Sequence, residues 1–466
     1  MPKSQTQFVC QQCGTAHPKW QGRCASCGEW NTLVEEVIVD TAAKRKSSTA
    51  VDSKNILTHF PDVDLTEDSK KRFSTTFEEL DRVLGGGLVP GAVVLIGGEP
   101  GIGKSTLLTQ VSVDLLISDQ RQKQDRWPIL YVAGEESPRQ ITLRINRYLA
   151  KDQKKSSKAD SKKNQAVLKD LTFVNSTNVD QLIQTIHSER PRLVVVDSIQ
   201  AMATEDLTGA SGSVGQLRES TERLAQTAKA LHIPIFLVGH VTKDGAIAGP
   251  KVLEHIVDAV IEISGERSGQ LRLVRALKNR FGATDEVGVF QHVEHGLVEV
   301  TNPSELFLEH QRESVPGSAT VCVMEGTRPL LIEVQALVTK SPLAMPRRVG
   351  RGIELSRIQV LAAVLQKHAG LPLGTNDVFL SAAGGFRVTE PAVDLGLAVA
   401  IASSLKNKEI AQKTVFIGEV GLLGEVRKVN YLDRRIKEAK RMGFKNIISR
   451  ENVKTVREVL KKFALL

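Results

Sequence analysis

Short apolar runs alternate with amphipathic stretches through the middle of the chain, from Phe73 to about Phe290. Strands that are buried on both faces of a sheet are continuous Val, Ile and Leu runs, whereas surface helices repeat apolar residues every three or four positions. The alternation therefore predicts βαβ units around a largely parallel sheet. The predicted core strands are 93–96, 129–133, 193–197 and 235–238.

The same patterns divide the rest of the chain. Strands predicted at 331–338 and 415–417 mix with helices predicted at 358–367, 394–404 and 431–441, which indicates a separate α/β domain. Two polar stretches with little periodicity are typical of linkers. The predicted organisation is a small module at 1–39, a linker at 40–72, an α/β core at 73–300, a linker at 301–316 and an α/β domain at 317–466.

Composition changes this picture little. Apolar residues make up 41% of the 466 residues and charged residues 25%, as in ordinary globular domains. The net charge of +9 is compatible with a polyanionic partner and does not identify one. The N-terminus lacks the apolar segment of a secretion signal, and no apolar run reaches the ~18 residues that cross a bilayer. We therefore expect a cytoplasmic protein with no membrane partner.

Four of the five cysteines lie in two copies of Cys-x-x-Cys-Gly: Cys10 with Cys13, and Cys24 with Cys27. Reduced thiols at this spacing present four thiolates to one tetrahedral ion and leave no open coordination position, which suits structural Zn²⁺. Iron in a rubredoxin-like centre is the alternative. The fifth cysteine, Cys322, is predicted to be a small core residue.

A phosphate-binding loop follows the first core strand. Residues 98–105 match G-x-x-x-x-G-K-[ST] between a strand and a helix predicted at about 105–117, which is the context that this motif requires. Lys104 should contact the β- and γ-phosphates of ATP, and Ser105 should bind Mg²⁺. The predicted nucleotide contacts are Gly98, Glu99, Pro100, Gly101, Ile102, Gly103, Lys104, Ser105 and Thr106.

Polar residues follow three of the other core strands. Asp197 ends one strand and would face the Mg²⁺ site. Glu135 and Glu136 follow another, and either carboxylate is a candidate for the base that activates water. His240 follows the last strand, where a polar side chain is able to sense the γ-phosphate. A histidine that is only hydrogen-bonded there is the alternative.

This set of motifs resembles the RecA/DnaB class of ATPases. The peptide Lys278-Asn-Arg-Phe-Gly282, together with the cysteine pairs, narrows the resemblance to the bacterial RadA (Sms) family of DNA-repair proteins. The resemblance implies a RecA-like core and an ATP-dependent, DNA-stimulated motor that promotes branch migration as a homohexameric ring. It also implies that Lys278 and Arg280 reach the γ-phosphate of the adjacent subunit; from residues alone the peptide is only a basic turn.

The partners implied are single-stranded and branched DNA, with a recombinase docking through the zinc module. RecA-like proteins place a single-stranded DNA loop in the region of 205–215, and 246–251 is a second candidate loop. An Arg/Gly-rich stretch at 346–352 suits phosphate contacts. The candidate DNA-binding residues are Arg218, Lys251, Arg347, Arg348 and Arg351.

The C-terminal segment resembles the proteolytic domain of Lon. Ala392 and Asp433 stand where an active Lon protease has its nucleophilic Ser and its Lys, so we expect no proteolysis. The favoured function is thus a DNA-dependent ATPase in recombinational repair. The alternatives are a nucleotide-switched assembly protein that does not translocate DNA and, less favoured, an ATP-dependent protease.

Overall fold

The computed structural model describes residues 4–10, 15–30, 32–39, 72–122, 127–153, 168–239, 250–265, 271–308, 314–383 and 388–466. The chain divides into two compact units, Met1–Glu299 and Val300–Leu466. The first unit contains a three-stranded and a nine-stranded sheet, and the second contains a six-stranded sheet and a two-stranded ribbon. The predicted α/β class is confirmed.

The strands of the first unit are β1 (Ser4–Cys10), β2 (Ala16–His17), β3 (Leu33–Val39), β4 (Val93–Gly98), β5 (Ile129–Ala133), β6 (Leu171–Val174), β7 (Leu193–Asp197), β8 (Ile235–Val238), β9 (Ala259–Ser264), β10 (Leu271–Asn279), β11 (Val287–Val293) and β12 (Gly296–Glu299). Its helices are α1 (Glu78–Leu84), α2 (Lys104–Gln122), α3 (Pro138–Gln153), α4 (Val179–Glu189), α5 (Val214–Leu231) and α6 (Pro250–Leu253).

The large sheet has the order β12-β11-β10-β9-β4-β8-β7-β5-β6. Its six strands from β9 to β6 are parallel, and four of them, β4, β5, β7 and β8, are the predicted core strands, whereas β6 and β9 were not predicted. Strands β10, β11 and β12 add an antiparallel edge, which the sequence pattern did not indicate. Helix α2 is also longer than predicted, since it ends at Gln122.

Apolar clusters cover both faces of this sheet. Alternate residues of β4 enter opposite clusters, with Ile96 on one side and Leu95 on the other. The cluster around Ile96 includes the large buried rings of Tyr131, Phe236 and Phe290. Because both faces are buried, the central strands are apolar throughout, and polar side chains are confined to the strand ends where the site is built.

The second unit has strands β13 (Ser318–Glu325), β14 (Arg328–Lys340), β15 (Arg348–Arg351), β16 (Asn376–Ala382), β17 (Thr414–Ile417), β18 (Glu419–Val420), β19 (Val426–Arg427) and β20 (Asn446–Ser449). Its helices are α7 (Pro303–Leu308), α8 (Leu355–Ala369), α9 (Asp394–Lys406), α10 (Leu432–Arg441) and α11 (Val456–Lys462). The mixed sheet has the order β15-β16-β14-β13-β17-β20. Cys322 is buried in this core, and burial raises the pKa of its thiol to about 12.

Candidate active site

The phosphate-binding loop connects β4 to α2 at the carboxyl edge of the parallel strands. At its start the backbone of Gly98 has φ +152° and passes so close to β9 that a Cβ would lie 2.5 Å from the Ile263 carbonyl oxygen. A side chain at Gly98 would therefore force the loop away from the sheet. The loop leads into the N-terminus of α2, where free backbone N–H groups favour bound phosphate.

The Lys104 side chain is folded back onto the loop. Its Nζ donates hydrogen bonds to the carbonyl oxygens of Gly98 at 2.8 Å and Glu99 at 3.1 Å. Burial lowers the pKa of Lys104, and the nearby carboxylates of Asp197 and Glu135 oppose this shift. An anion at the loop would satisfy the same ammonium group, so the residue fits its predicted contact with phosphates.

Asp197 ends β7 beside the loop, as predicted for a magnesium-site carboxylate. Burial raises its pKa, whereas hydrogen bonds from Ser105 and Tyr131 act in the opposite direction. The Tyr131 hydroxyl donates to Oδ2 at 2.8 Å. A serine hydroxyl next to a buried carboxylate is an oxygen donor set that suits Mg²⁺. Tyr131 belongs to a core strand, and no motif in the sequence marked it as part of the site.

The two candidate bases have different surroundings. Glu135 accepts a hydrogen bond from Ser198 Oγ, in the residue that follows Asp197, and its charge acts on Lys104. Glu136 instead forms an ion pair with Arg144 of α3, with Arg144 Nη2 2.6 Å from Oε1. The carboxylate that acts on Lys104 is therefore Glu135, while Glu136 is paired with an arginine of α3.

Lys278 and Arg280 lie at the opposite end of the sheet from the phosphate-binding loop. Asn279 faces Ala259, and Ala259 faces Val94 near the start of β4. At a rise of about 3.3 Å per residue, β4 covers about 13 Å from Val94 to Gly98. The two cations therefore lie far from the nucleotide site of their own chain.

Both cations are held in this position by local contacts. Arg280 Nη1 is 3.2 Å from Oδ1 of Asp258, whose Oδ2 accepts the backbone N–H of Val93 at 3.1 Å. Lys278 Nζ donates to the Val257 carbonyl at 2.9 Å and to that of Glu254, and burial lowers its pKa. No motif in the sequence marked Asp258, which connects Arg280 to the start of β4.

Three of the four cysteines in the predicted metal site, Cys10, Cys24 and Cys27, lie together near the end of β1. The sulfur atoms of Cys10, Cys24 and Cys27 lie within 4.8 Å of one another, and those of Cys10 and Cys27 are 3.6 Å apart. Tetrahedral Zn–S bonds of about 2.3 Å separate sulfurs by about 3.8 Å, so these thiols fit zinc. The backbone N–H groups of Cys27 and Ser26 lower the pKa of the Cys24 thiol to about 5.

Other predicted residues lie outside the part of the chain that is described. These are Cys13, His240 and the side chain of Lys251. His17, which the sequence analysis did not select, is buried with its Nε2 3.4 Å from Cys24 Sγ.

The candidate DNA-binding arginines differ in how available they are. Arg218 lies in α5 rather than in the preceding loop and pairs with Glu222 at 3.0 Å. Arg348 donates to the backbone carbonyls of Arg347, Asn376 and Leu373, so its guanidinium supports the fold. Arg347 and Arg351 are exposed. Of the three arginines on this stretch, these two have the side chains best placed for a phosphate backbone.

The region that resembles the Lon site holds a buried ion pair. Ala392 lies in a 3₁₀ turn with 1% of its surface exposed, and Asp433 is exposed on α10. Close to both in sequence, the fully buried Arg435 binds the Glu390 carboxylate and the Cys322 carbonyl. These contacts join the two elements that would carry a Ser–Lys dyad.

Comparison with family models matches three parts of the chain. The AAA domain model covers residues 60–246, the rubredoxin metal binding domain model covers 8–35, and the model of subunit ChlI of Mg-chelatase covers 348–452. They agree with a RecA-like P-loop core, an N-terminal zinc ribbon and a C-terminal Lon-protease-like α/β domain. Among the described residues, no helix has both the length and the apolar character needed to cross a bilayer.

Curated relatives match nearly the whole chain. DNA repair protein RadA of Halalkalibacterium halodurans is 45% identical over 449 residues, which is 96% of this chain and 93% of the relative. The protein of the same name from Pseudomonas aeruginosa is 46% identical over 449 residues, with the same two coverages. That of Listeria monocytogenes is 43% identical over 478 residues, covering 99% of this chain and 98% of the relative.

Proposed function

The chain belongs to the DNA repair protein RadA family, and from this membership we propose that it is a DNA-dependent ATPase motor that processes branched recombination intermediates. At the coarser level it is an ATPase of DNA repair and recombination, since its relatives are DNA-repair proteins and its core matches an AAA domain. The finer proposal is a hexameric ring in the cytoplasm that promotes branch migration.

The separation of Lys278 and Arg280 from the phosphate-binding loop of their own chain is the observation that carries this proposal. Cations that stabilise a transferring phosphoryl group must touch it. Along the sheet, the backbone of Lys278 lies about 10 Å from the loop and that of Arg280 more than about 13 Å from it. A neighbouring subunit would bring its own pair to the loop, as an arginine finger does in trans. Each active site is then completed only by assembly, which supports a closed ring.

Within one site the roles follow from the contacts. Lys104 would leave the carbonyls of Gly98 and Glu99 to bind the phosphates of ATP. Mg²⁺ held by Ser105 and Asp197 would neutralise charge on the β- and γ-phosphates. Glu135 would accept the proton of the attacking water as the bond from the γ-phosphorus to its leaving oxygen breaks. Cations from the neighbour would stabilise the negative charge of that transition state.

DNA would bind through the exposed cations of the ring. Arg347 and Arg351 are exposed on and beside β15, where guanidinium groups are able to fork onto phosphate oxygens. A recombinase partner is proposed to dock on the zinc module. The Glu390–Arg435 pair and Ala392 support the further proposal that the C-terminal domain does not cleave peptides.

A three-strand junction with a labelled strand tests this proposal. Wild-type protein with ATP should convert the junction to exchanged product, whereas Lys104→Ala, which lacks the phosphate contact, should not. Efficient ATP hydrolysis without movement of the branch point would favour a nucleotide-switched assembly protein. Degradation of an unfolded protein substrate would favour the alternative of an ATP-dependent protease.

A further inference from the structure

A buried arginine lies beneath the phosphate-binding loop. Arg272, near the start of β10, has 6% of its surface exposed. Its Nε donates a hydrogen bond to the Ile102 carbonyl oxygen at 3.2 Å, and its Nη1 donates to the Leu271 carbonyl at 2.8 Å. One guanidinium thus connects the antiparallel edge of the sheet to the middle of the loop.

Burial of the Arg272 side chain is unusual, because arginine side chains are mostly exposed to solvent. Burial disfavours the charged guanidinium and lowers the pKa of Arg272. Carbonyl oxygens that accept from it compensate part of that cost, because hydrogen bonds with a charged donor are stronger than neutral ones. The contact to Ile102 therefore constrains the loop carbonyl as much as it constrains the arginine.

The direction of the Ile102 carbonyl determines the direction of the next N–H group. In a trans peptide the C=O of one residue and the N–H of the following residue point to opposite sides of the planar unit. A carbonyl of Ile102 that points towards Arg272 turns the Gly103 N–H away from Arg272. Backbone N–H groups of such a loop are the donors that surround bound phosphates.

We propose that Arg272 is a positioning residue of the ATP site, which holds the Ile102 carbonyl so that the Gly103 N–H is directed at the phosphates. Arg272 itself does not touch the nucleotide in this arrangement; it acts through the loop. The inference rests on the proposed ATP-hydrolysis site and adds a determinant of nucleotide affinity outside the loop motif.

The test compares full-length Arg272→Met with Arg275→Met. Arg275 lies on the same strand and bonds Ser264 Oγ at 3.1 Å, so it is a matched control outside the site. Binding of fluorescent ADP and ATP is measured with Mg²⁺, together with KM and kcat for ATP. Arg272→Met should weaken binding and raise KM about tenfold while kcat at saturation stays within about twofold, as expected for loss of one charge-assisted hydrogen bond.

A conservative variant separates positioning from loss of folding. Arg272→Lys keeps a charged donor but not the planar fork, and we expect it to recover most of the affinity. If Arg272→Met fails to fold, Arg272→Lys provides the test. It should bind nucleotide about threefold more weakly than the wild type, whereas the control Arg275→Lys should bind with wild-type affinity. Wild-type affinity in folded Arg272→Met would overturn the inference, as would wild-type affinity in Arg272→Lys where Arg272→Met does not fold, or an equal loss in the Arg275 control.

Failure of the proposed function is recognised separately. If wild-type protein hydrolyses no more ATP than Lys104→Ala, the ATP site itself is wrong. If the wild type is active and Arg272→Met has the same KM for ATP as the wild type, only the role proposed for Arg272 is contradicted.

Discussion

At the scale of single residues, the nucleotide site depends on side chains that distant elements bring together. The sequence predicted the phosphate-binding loop and the cysteine pairs because the residues of each motif lie close together in the chain. The sequence did not distinguish between Glu135 and Glu136 as the base, because their partners Ser198 and Arg144 lie on other elements. Tyr131 was missed for a similar reason. Its hydroxyl donates to Asp197 on another strand, and nothing in the sequence around a core tyrosine indicates such a contact.

Substitution of the two glutamates should have unequal effects. Glu135→Gln should lower kcat by a factor of about 100 or more, because an amide does not accept the proton of the attacking water. ATP binding should remain. Glu136→Gln is the matched control and should lose much less activity, because Glu136 pairs with Arg144. Steady-state hydrolysis and nucleotide binding measure both effects, and a larger loss at Glu136 would reverse the assignment.

Glu299 contributes a pH dependence to stability. Burial raises its pKa to about 7, with the charge of Glu79 adding to the shift, although the backbone N–H of Glu79 donates to it at 2.6 Å. The folded chain therefore holds a proton between about pH 4.5 and 7 that the unfolded chain releases, so this contribution to stability falls as pH rises through that window.

Glu299→Gln should remove that loss, since an amide resembles the protonated carboxyl. Relative to wild type, the free energy of unfolding should rise by about 1 kcal/mol more at about pH 8 than at about pH 5, after allowance for partial solvent screening. Denaturant unfolding of both proteins provides the measurement. Exposed Glu294 on the same hairpin is the control, and an equal gain in Glu294→Gln would contradict the explanation.

At the scale of elements, the apolar runs predicted four of the six parallel strands and did not indicate the antiparallel edge. Strands β4, β5, β7 and β8 are buried on both faces, so each is a recognisable apolar run. Strand β10 alternates buried and partly exposed residues and carries several cations. It pairs with its neighbours in antiparallel hairpins rather than in βαβ units. The edge matters for function, since one end of β10 contacts the phosphate-binding loop and the other carries Lys278.

A pair of hydrogen bonds between the Gln110 side chain and the Leu297 backbone joins α2 to β12. Gln110 Nε2 donates to the Leu297 carbonyl at 2.9 Å, and the Leu297 N–H donates to Gln110 Oε1 at 2.8 Å. The neighbouring Gly296 has φ +138°, and a Cβ there would lie 2.7 Å from Gln110 Oε1. The contact therefore needs both a glycine and a glutamine, far apart in sequence.

Gly296→Ala should lower the free energy of unfolding by about 1–3 kcal/mol, because the added Cβ displaces Gln110 and the backbone is strained. Gln110→Ala should lower it by a similar amount through the loss of both hydrogen bonds. Since either change breaks the same contact, the double variant should lose less than the sum of the two. Denaturant unfolding of the four proteins checks this cycle, and strictly additive losses would contradict the shared contact.

At the scale of the whole molecule, the zinc module predicted at residues 1–39 has a three-stranded sheet of its own. Its apolar cluster contains Cys10, Cys24 and Leu33 and is distinct from the clusters of the ATPase core. Among the described residues this apolar cluster is small, and we therefore expect the module to need the ion in order to fold. The predicted domain boundaries within the first unit stay predictions, as does the docking of a recombinase on this module.

Removal of zinc should unfold the module and leave the catalytic core folded. A strong chelator should release one zinc per chain, while ATP hydrolysis without DNA stays within about twofold of its initial rate. Metal release is followed with a colorimetric zinc indicator, and hydrolysis by phosphate release. Release of iron rather than zinc would support the rubredoxin-like alternative, and loss of all hydrolysis would show that the core depends on the metal.

The most direct test of the account is ATP hydrolysis with and without single-stranded DNA in wild type, Lys104→Ala, Arg280→Ala and an equal mixture of the two variants. We predict strong stimulation by DNA in the wild type and little turnover in either variant alone. In the mixture, about a quarter of randomly assorted interfaces would join an intact loop to an intact Arg280, so activity should partly return. Turnover that is indifferent to DNA, or a mixture as inactive as its components, would contradict a motor with shared active sites.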